Sequence, residues 1–239
     1  MFSKSANIYN AIYLSMGKDY VAETKKINAF VQLYKKIKGN RLLDVACGTG
    51  SHIKHLRHHY QVEGLDLDGS MLKIARQSFP DVIFHHADML DFKLRRRFDV
   101  ITCLFSSVGY VRTIRRLNQA IQNMSNHLKT GGILIVEPWF APKDWKAGTM
   151  HLTVVDQPHQ KIVRINVSEL KGAISILNFH YLVATPKGVK YFYERHELGL
   201  FTPEEYQQAF QRAGLEVHHN KYGIDGRGLY IASKSKIKP

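Results

Sequence analysis

Over residues 1–142, short apolar runs alternate with segments whose apolar side chains recur at helical spacing. Gly39-Asn40 ends the first helical segment, and Thr130-Gly131-Gly132 predicts a glycine C-cap for the last one. The predicted helices cover residues 19–37, 51–59, 70–78 and 113–128, and the predicted strands cover 41–46, 61–66, 82–84, 99–105 and 133–136. Strands that alternate with helices in this way predict a parallel sheet with helices on both faces.

The pattern changes after Pro142 into β-rich runs separated by turn residues. These runs predict an antiparallel insertion beside the main sheet, and they cover residues 152–155, 161–168, 173–184 and 189–200. A helix follows with Thr202 as N-cap and Pro203 at its first position, and runs over 215–222 and 228–233 predict a closing hairpin. The expected fold is therefore α/β, a Rossmann-like seven-stranded sheet with an antiparallel β insertion.

The first predicted strand ends in a glycine turn of the form D-x-x-x-G-x-G, from Asp44 to Gly50. In Rossmann-like sheets, a strand, a glycine turn and a helix in this order present a nucleoside-bearing cofactor, and Ser51 is a suitable N-cap for the helix. The second strand ends in Asp66, where a carboxylate would meet ribose hydroxyls. Ile53 stands where a dinucleotide-binding turn has its third glycine, so the pattern favours a nucleoside cofactor other than NAD.

The composition is that of one globular domain. The chain has 239 residues, of which 44% are hydrophobic and 23% charged, and this is enough for an extensive core. Cys47 and Cys103 are the only cysteines, so we expect small buried thiols in a reducing compartment and no disulfide framework. Because neither a leader pattern nor a long apolar run appears, we expect a cytoplasmic protein without a membrane span.

The net charge of +14 would attract nucleic acid, anionic lipid and phosphorylated small molecules alike. The sequence has neither a zinc knuckle nor an RNA-recognition signature, and the triplet Arg95-Arg96-Arg97 is typical of a solvated loop. These observations lower the nucleic-acid hypothesis without removing it. Among the thirteen histidines, His55 and His59 stand four apart without a third ligand at suitable spacing, so no metal site is expected.

Further local motifs follow the glycine turn in the order in which one known enzyme family has them. The turn and Asp66 resemble motif I and the ribose-binding acid of the class I S-adenosylmethionine (SAM)-dependent methyltransferases. That family has an adenine-binding motif, a fourth-strand motif and a turn before its fifth strand. The corresponding segments here are, in the same order, Asp88-Met89, Phe98–Cys103 and Leu128–Gly132. The resemblance implies SAM as the cofactor. The residues it implies for SAM binding are Tyr20, Asp44, Ala46, Gly48, Gly50, Asp66, Leu67, Met71, Asp88, Met89, Leu104 and Phe105.

Two single residues and four segments narrow the resemblance, namely Tyr9, Tyr13, Gly17–Tyr20, Phe105–Gly109, Val136–Phe140 and Gly226–Leu229. They are similar to the nucleotide (TDP)-amino-sugar N,N-dimethyltransferases of deoxysugar pathways, and the similarity runs over nearly the whole chain. It implies a SAM-binding domain of residues 1–142 and 201–239 with an N-terminal lid segment. It also implies that residues 143–200 form an insertion at the substrate site or at a dimer contact. The chain departs from the sugar enzymes at Tyr110, where they carry a histidine, so the amine or sugar specificity stays open.

The chemistry of methyl transfer suggests which residues act on the substrate. The sulfonium leaves as a neutral group, so the protein mainly has to hold an uncharged nucleophile close and in line. A partly apolar pocket with a proton acceptor favours an uncharged amine, and the catalytic candidates are Tyr13, Tyr110 and Glu137. Guanidinium groups suit a diphosphate, and indoles can cover a base or a sugar. The candidate substrate-binding residues are Tyr13, Ser107, Trp139, Trp145, Arg164 and Arg227.

Together these observations predict a SAM-dependent methyltransferase that methylates the amino group of a nucleotide-linked amino sugar. One alternative is an O- or N-methyltransferase of another small metabolite or of a peptide. A second alternative, from a different class, is a basic protein that binds or modifies nucleic acid. The expected partner is a small molecule such as a TDP-sugar, and a homodimer stays an open alternative.

Overall fold

Two sheets organise the molecule. The computed structural model describes residues 2–235. Its strands are β1 (Arg41–Val45), β2 (Gln61–Asp66), β3 (Ile83–His86), β4 (Phe98–Cys103), β5 (Leu128–Val136), β6 (Met150–Gln157), β7 (Gln160–Lys171), β8 (Ile174–Thr185), β9 (Gly188–Gly199), β10 (Glu216–Asn220) and β11 (Leu229–Ser233). The seven-stranded sheet has the order β10-β11-β5-β4-β1-β2-β3, and the four-stranded sheet has the order β6-β7-β8-β9. In the larger sheet β1 to β5 run parallel, whereas β11 pairs antiparallel with β5 and β10, which confirms the predicted fold.

The helices cover both faces of the larger sheet. They are α1 (Ala6–Ser15), α2 (Tyr20–Tyr34), α3 (Ile53–Leu56), α4 (Gly69–Ser78), α5 (Ile114–Asn126) and α6 (Pro203–Arg212), and 3-10 helices cover Ser107–Val111 and Pro142–Asp144. Local sequence explains the start of α6, where the side chains of Thr202 and Glu205 each accept the other residue's backbone N–H. Within residues 2–235, no helix has both the length and the apolar character needed to cross a membrane.

The core lies on both sides of the parallel strands, because successive side chains of a strand point to opposite faces. Leu42 packs in the apolar cluster that contains Ile27 and Val31 of α2, whereas Leu43 packs in the cluster that contains Leu117 of α5 and Phe210 of α6. Every residue of β4 is buried, Asp99 and Thr102 included, as is typical of a parallel strand covered on both faces. Core packing on both faces therefore holds the parallel strands in place, and the site lies at their carboxyl ends.

The four-stranded sheet has one buried face and one exposed face. Arg164 of β7 pairs with Thr153 of β6 and with Tyr181 of β8, so these side chains share the inner face, which lies toward α1 and the larger sheet. The opposite side, called here the outer face, exposes apolar side chains on all four strands. They are Met150, Leu152, Val154, Ile165, Val167, Leu182, Val189, Tyr191 and Tyr193.

Local predictions were wrong at two helix ends. The N-cap of α3 is His52, and the hydroxyl of Ser51 donates instead to Asn10 at 3.0 Å. Helix α3 covers only Ile53–Leu56 and is much shorter than the predicted 51–59. Helix α5 ends before the predicted glycine cap, and Gly131 lies inside β5. The sequence pattern also left α1 without a helical prediction. Residues 236–239, the end of the predicted 201–239 segment, lie outside the described residues.

Candidate active site

The turn after β1 is held open toward a cavity by left-handed backbone. Ala46, Gly48 and Gly50 have φ values of 59°, 56° and 80°. A Cβ on Gly48 would meet nothing within 4 Å, whereas a Cβ on Gly50 would lie 3.0 Å from the ring of Phe79. Gly48 therefore leaves room for a ligand beside the backbone, and Gly50 allows close packing behind the turn.

Asp66, at the end of β2, is locked against this turn. One carboxylate oxygen accepts the backbone N–H of Gly48 at 2.7 Å, and the other accepts that of Asp68 at 2.8 Å. Burial raises the pKa of Asp66, although these backbone donors oppose the shift. Each carboxylate oxygen can accept a second hydrogen bond, so Asp66 is both fixed and able to bind hydroxyl groups of a ligand.

A cavity of about 1130 Å³ lies between the carboxyl ends of the parallel strands and the inner face of the four-stranded sheet. It brings together many of the predicted site residues, namely Tyr13, Ala46, Gly48, Asp66, Leu67, Met71, Asp88, Met89, Phe105, Ser107, Tyr110, Trp139, Trp145, Arg164 and Arg227. Tyr20, Asp44 and Leu104 line a small neighbouring cavity of about 30 Å³. Gly50 and Glu137 line neither of these cavities.

A buried polar network lies beside the small cavity. Thr102 donates a hydrogen bond of 2.8 Å to Asp44, and burial raises the pKa of Asp44 to about 6. Glu23 of α2 contacts Lys18 at 2.7 Å and His52 at 2.8 Å. Burial alone would raise the pKa of Glu23, but the hydrogen bonds with His52 and Lys18 lower it overall. The carboxylate of Glu23 therefore stays charged close to the glycine turn.

Asp88 combines a loop-capping contact with exposure to the cavity. Its carboxylate accepts the backbone N–H of Leu90 at 3.0 Å and lies 3.9 Å from the guanidinium of Arg116. Met71 and Met89 line the same part of the cavity. The capping contact occupies one oxygen and leaves acceptor capacity on the carboxylate, so the adenine-binding role of Asp88 stays a prediction compatible with its position.

The turn after β4 is strained, and Glu137 stabilises it. Phe105 and Ser106 have φ values of 52° and 59°, which is uncommon for residues other than glycine. Glu137 accepts the backbone N–H of Phe105 at 2.6 Å, and Ser106 donates to the carbonyl of Pro138 at 2.7 Å. Glu137 is fully buried and holds this turn from behind. Its catalytic role stays a prediction that no contact with the cavity supports.

Arg227 reaches the cavity with its guanidinium already paired. It donates to Glu137 at 3.2 Å and also to Asp225. The guanidinium carbon lies 5.6 Å from the ring centroid of Phe105 and 5.9 Å from that of Trp139. Two carboxylates on one guanidinium leave little positive charge for a further anion. The diphosphate role of Arg227 stays a prediction, and its paired state weakens it.

Arg164 is the contrasting case, because it is buried among neutral groups. It is 6% exposed, and it donates to the hydroxyls of Tyr13 and Thr153 at 3.3 Å each. Its guanidinium carbon lies 4.6 Å from the ring centroid of Phe179. Within residues 2–235, no carboxylate oxygen comes within 4.0 Å of this guanidinium. A buried guanidinium without a carboxylate is suited to an anionic ligand such as a phosphate.

Tyr110 and the two tryptophans complete the walls of the cavity. The hydroxyl of Tyr110 lies 2.7 Å from Nδ1 of His196. The indole of Trp139 donates to Ser175 at 2.8 Å, and its ring lies 5.7 Å from the ring of Trp145. Both indoles line the cavity, where they could pack against a ligand.

Some cavity residues escaped the sequence analysis. Asn166 is 3% exposed, and its amide nitrogen has no hydrogen-bond partner among residues 2–235. The alternation Arg164-x-Asn166-x-Ser168 on one face of β7 is a signal that could have revealed this polar stripe. Glu194 of β9, which lies outside the lining of the cavity, accepts the backbone N–H of Lys4 at 2.6 Å. No local signal announces that contact, because its partners are 190 residues apart.

Comparisons with known proteins agree with this geometry. Residues 42–132 match the family described as a methyltransferase domain. The chain is 39% identical over 227 residues to dTDP-3-amino-3,6-dideoxy-alpha-D-glucopyranose N,N-dimethyltransferase of Streptomyces fradiae, with 94% of this chain and 89% of the relative covered. It is 39% identical over 228 residues to dTDP-3-amino-3,4,6-trideoxy-alpha-D-glucopyranose N,N-dimethyltransferase of Streptomyces venezuelae, with 95% and 96% covered.

Two solved structures extend the comparison. DesVI of Streptomyces venezuelae has a TM-score of 0.92 and 38% identity, with 97% of this chain and 98% of DesVI covered. SAM-bound CalS10, an amino pentose methyltransferase from Micromonospora echinaspora, has a TM-score of 0.86 and 34% identity, with 95% and 97% covered. The prediction that the chain is a methyltransferase is thereby confirmed.

Proposed function

This chain belongs to the family of the dTDP-amino-sugar N,N-dimethyltransferases, and on that premise we propose that it dimethylates the amino group of a nucleotide-linked amino sugar with SAM as the methyl donor. One observation carries the proposal. A single cavity has the glycine turn and Asp66 on one wall and the unpaired guanidinium of Arg164 on the other. Such a cavity suits a ribose-containing cofactor together with an anionic acceptor molecule.

The residues on the cofactor side fit SAM. Gly48 leaves open space beside the backbone, and Asp66 is fixed with acceptor capacity left for ribose hydroxyls. Asp88 and Met89 would hold the adenine from the neighbouring strand end. When bound, SAM supplies an electrophilic methyl group on a positively charged sulfur.

The residues on the acceptor side can hold a sugar nucleotide with an uncharged amine. Arg164 would bind the diphosphate, because its guanidinium has no carboxylate to compete with the phosphate oxygens. Burial raises the pKa of Tyr13 and of Tyr110, so both hydroxyls stay neutral. The rings of Phe105 and Trp139 make this part of the cavity partly apolar, which favours the uncharged form of an amine.

The direct test is turnover of a TDP-linked 3-amino-dideoxyhexose with SAM, followed by mass spectrometry. We expect a product with two added methyl groups from the wild type, and much slower formation of it by Asp66→Ala when SAM is below saturation. A wild type that binds SAM in calorimetry but leaves several TDP-amino sugars unmethylated would overturn the proposal. Methylation of RNA in place of the sugar, with a steep salt dependence, would favour the nucleic-acid alternative.

We further propose that the outer face of the four-stranded sheet packs against a second copy of the chain. The face exposes apolar side chains on all four strands, and Leu152 alone is 65% exposed. Contiguous apolar patches of this kind on a soluble domain mark association surfaces. Sedimentation at about 10 µM should show a dimer that Leu152→Lys dissociates. Leu33→Lys is the control, because Leu33 is 72% exposed on α2, away from this face. A monomeric wild type would overturn the proposal.

A further inference from the structure

A buried imidazole on the insertion side contacts one of the candidate catalytic hydroxyls. His196 of β9 is 1% exposed and lines the cavity. Its Nδ1 lies 2.7 Å from the hydroxyl oxygen of Tyr110, which comes from the 3-10 helix after β4. The imidazole packs against the rings of Phe2 and Phe179, with centroid separations of 4.2 and 5.1 Å. These contacts restrict the orientation of the imidazole that makes the hydrogen bond.

The surroundings of His196 determine which atom donates. Its Nε2 has no hydrogen-bond partner among residues 2–235, and a carboxylate oxygen of Glu194 lies 3.9 Å from it. That carboxylate is fixed, because it accepts the backbone N–H of Lys4 at 2.6 Å and the hydroxyl of Ser5 at 2.5 Å. Burial lowers the pKa of His196 despite the opposing effect of Glu194, so the ring carries a single proton.

A negative charge beside Nε2 favours the tautomer in which Nε2 carries that proton. In this tautomer Nδ1 is an acceptor, and the hydroxyl of Tyr110 must donate to it. The hydroxyl hydrogen of Tyr110 is then engaged, and the oxygen offers only lone pairs to the cavity.

We propose that His196 is a positioning residue that makes Tyr110 a hydrogen-bond acceptor for the N–H group of the acceptor amine. This inference rests on the proposed function. A hydrogen bond from the amine to Tyr110 orients the nitrogen and leaves its lone pair free to face the methyl donor. A primary amine has two N–H groups and a monomethylated amine has one, so both substrates of a dimethylation can make this bond. The second transfer forms a dimethylammonium ion with one N–H, and the product loses the contact when that proton passes to solvent.

A double-mutant cycle tests whether His196 acts through Tyr110. His196→Leu should lower kcat for sugar methylation about tenfold to hundredfold, with SAM affinity in calorimetry unchanged. Tyr110→Phe should cause a similar loss, and the double variant should be no slower than Tyr110→Phe alone. His196→Asn should recover much of the activity, because its amide oxygen can accept the same hydroxyl hydrogen. Losses that multiply in the double variant, or an unchanged kcat of His196→Leu, would overturn the inference.

The chain offers a matched control pair on the outer face. Nδ1 of His180 lies 2.7 Å from the hydroxyl of Tyr191, which is the same kind of contact outside the cavity. His180→Leu should leave kcat unchanged, and a loss as large as that of His196→Leu would show that general destabilisation of the sheet explains both.

A measurement without turnover separates this inference from the proposed function. The ¹⁵N spectrum of histidine-labelled wild-type protein should show the Nε2-protonated tautomer for His196, assigned by its absence in His196→Asn. A proton on Nδ1 would overturn the inference even in an enzyme that dimethylates the sugar. Failure of the wild type to methylate any TDP-amino sugar would instead overturn the proposed function.

Discussion

On the cofactor side of the cavity, Asp66 is fixed by two backbone N–H groups that are 18 and 2 residues away in the chain. On the insertion side, Arg164 and His196 are fixed by the side chains of Tyr13 and Tyr110, which are 151 and 86 residues away. Backbone contacts in a turn persist when many side chains change, whereas contacts between side chains depend on each partner. We therefore expect the cofactor side to tolerate many side-chain substitutions and the insertion side to change its specificity through few.

The largest effect is expected on the cofactor side. Asp66→Ala removes the ribose acceptor and releases the N–H groups of Gly48 and Asp68. The loss of about 3 kcal/mol predicts a SAM dissociation constant about a hundredfold higher. Isothermal calorimetry measures it, with Asp156→Ala on the exposed insertion as control. A dissociation constant within about threefold of the wild type would show that the ribose is held elsewhere.

On the insertion side, Arg164→Met should weaken TDP binding by about thirtyfold through the loss of charge-assisted hydrogen bonds, and SAM affinity should change little. Arg227→Met should have a smaller effect on TDP, because Glu137 and Asp225 already neutralise that guanidinium. Calorimetry with TDP on both variants makes the comparison. A greater loss at Arg227 would reverse our assignment of the diphosphate site.

The free energy of unfolding should depend on pH, because Asp44 on the cofactor side is a buried carboxyl group. Burial raises the pKa of Asp44 from 3.8 to about 6, so between these values the folded protein binds more protons than the unfolded chain. The contribution of Asp44 to stability therefore falls as pH rises from about 4 to about 6, by about 3 kcal/mol in total. Asp44→Asn keeps the acceptor for Thr102 and should be more stabilising, relative to the wild type, at pH 8 than at pH 4.

Urea unfolding at pH 4 and pH 8 measures this difference for Asp44→Asn. Asp156→Asn, at an exposed position of β6, is the control and should show no such dependence. A stability difference between Asp44→Asn and the wild type that is the same at both pH values would contradict the raised pKa.

The smallest effect is expected where the two sides meet. Trp139 follows β5, and its indole N–H donates to Ser175 of β8 at 2.8 Å. Trp139→Phe keeps an aromatic ring but loses this bond, so the free energy of unfolding should fall by about 1 kcal/mol. Urea unfolding measures it, and SAM affinity should stay unchanged. A fall in SAM affinity without a change in stability would place Trp139 on the cofactor side.

Local signals explain why the fold could be predicted closely from the sequence. The buried strand β4 and the capping box of α6 are specified by residues that are adjacent or nearly so. Where the predictions were wrong, a distant partner decided the outcome. The hydroxyl of Ser51 could cap α3, but it donates instead to Asn10, which lies 41 residues earlier in the chain. Gly131 follows α5 as a cap would, but it lies inside β5, and its N–H donates to the carbonyl of the distant Lys234 at 2.7 Å.

The site shows the same division between local and distant signals. The positions of Gly48 and Asp66 at the cavity follow from a motif that can be recognised in one segment of sequence. His196 and Asn166 are polar residues in strands. Their place in the site can be recognised only when it is known which face of the insertion is buried.

For inhibitor design, helix α1 is a target that contacts both the cofactor side and the insertion side of the cavity. The side chain of Asn10 accepts hydrogen bonds from Thr49 and Ser51 beside the glycine turn, while Ser5, at the start of the same helix, donates to Glu194 of the insertion. Both attachments belong to one helix of ten residues, so we expect a compound that displaces α1 as a whole to disturb both walls of the cavity without resembling either substrate.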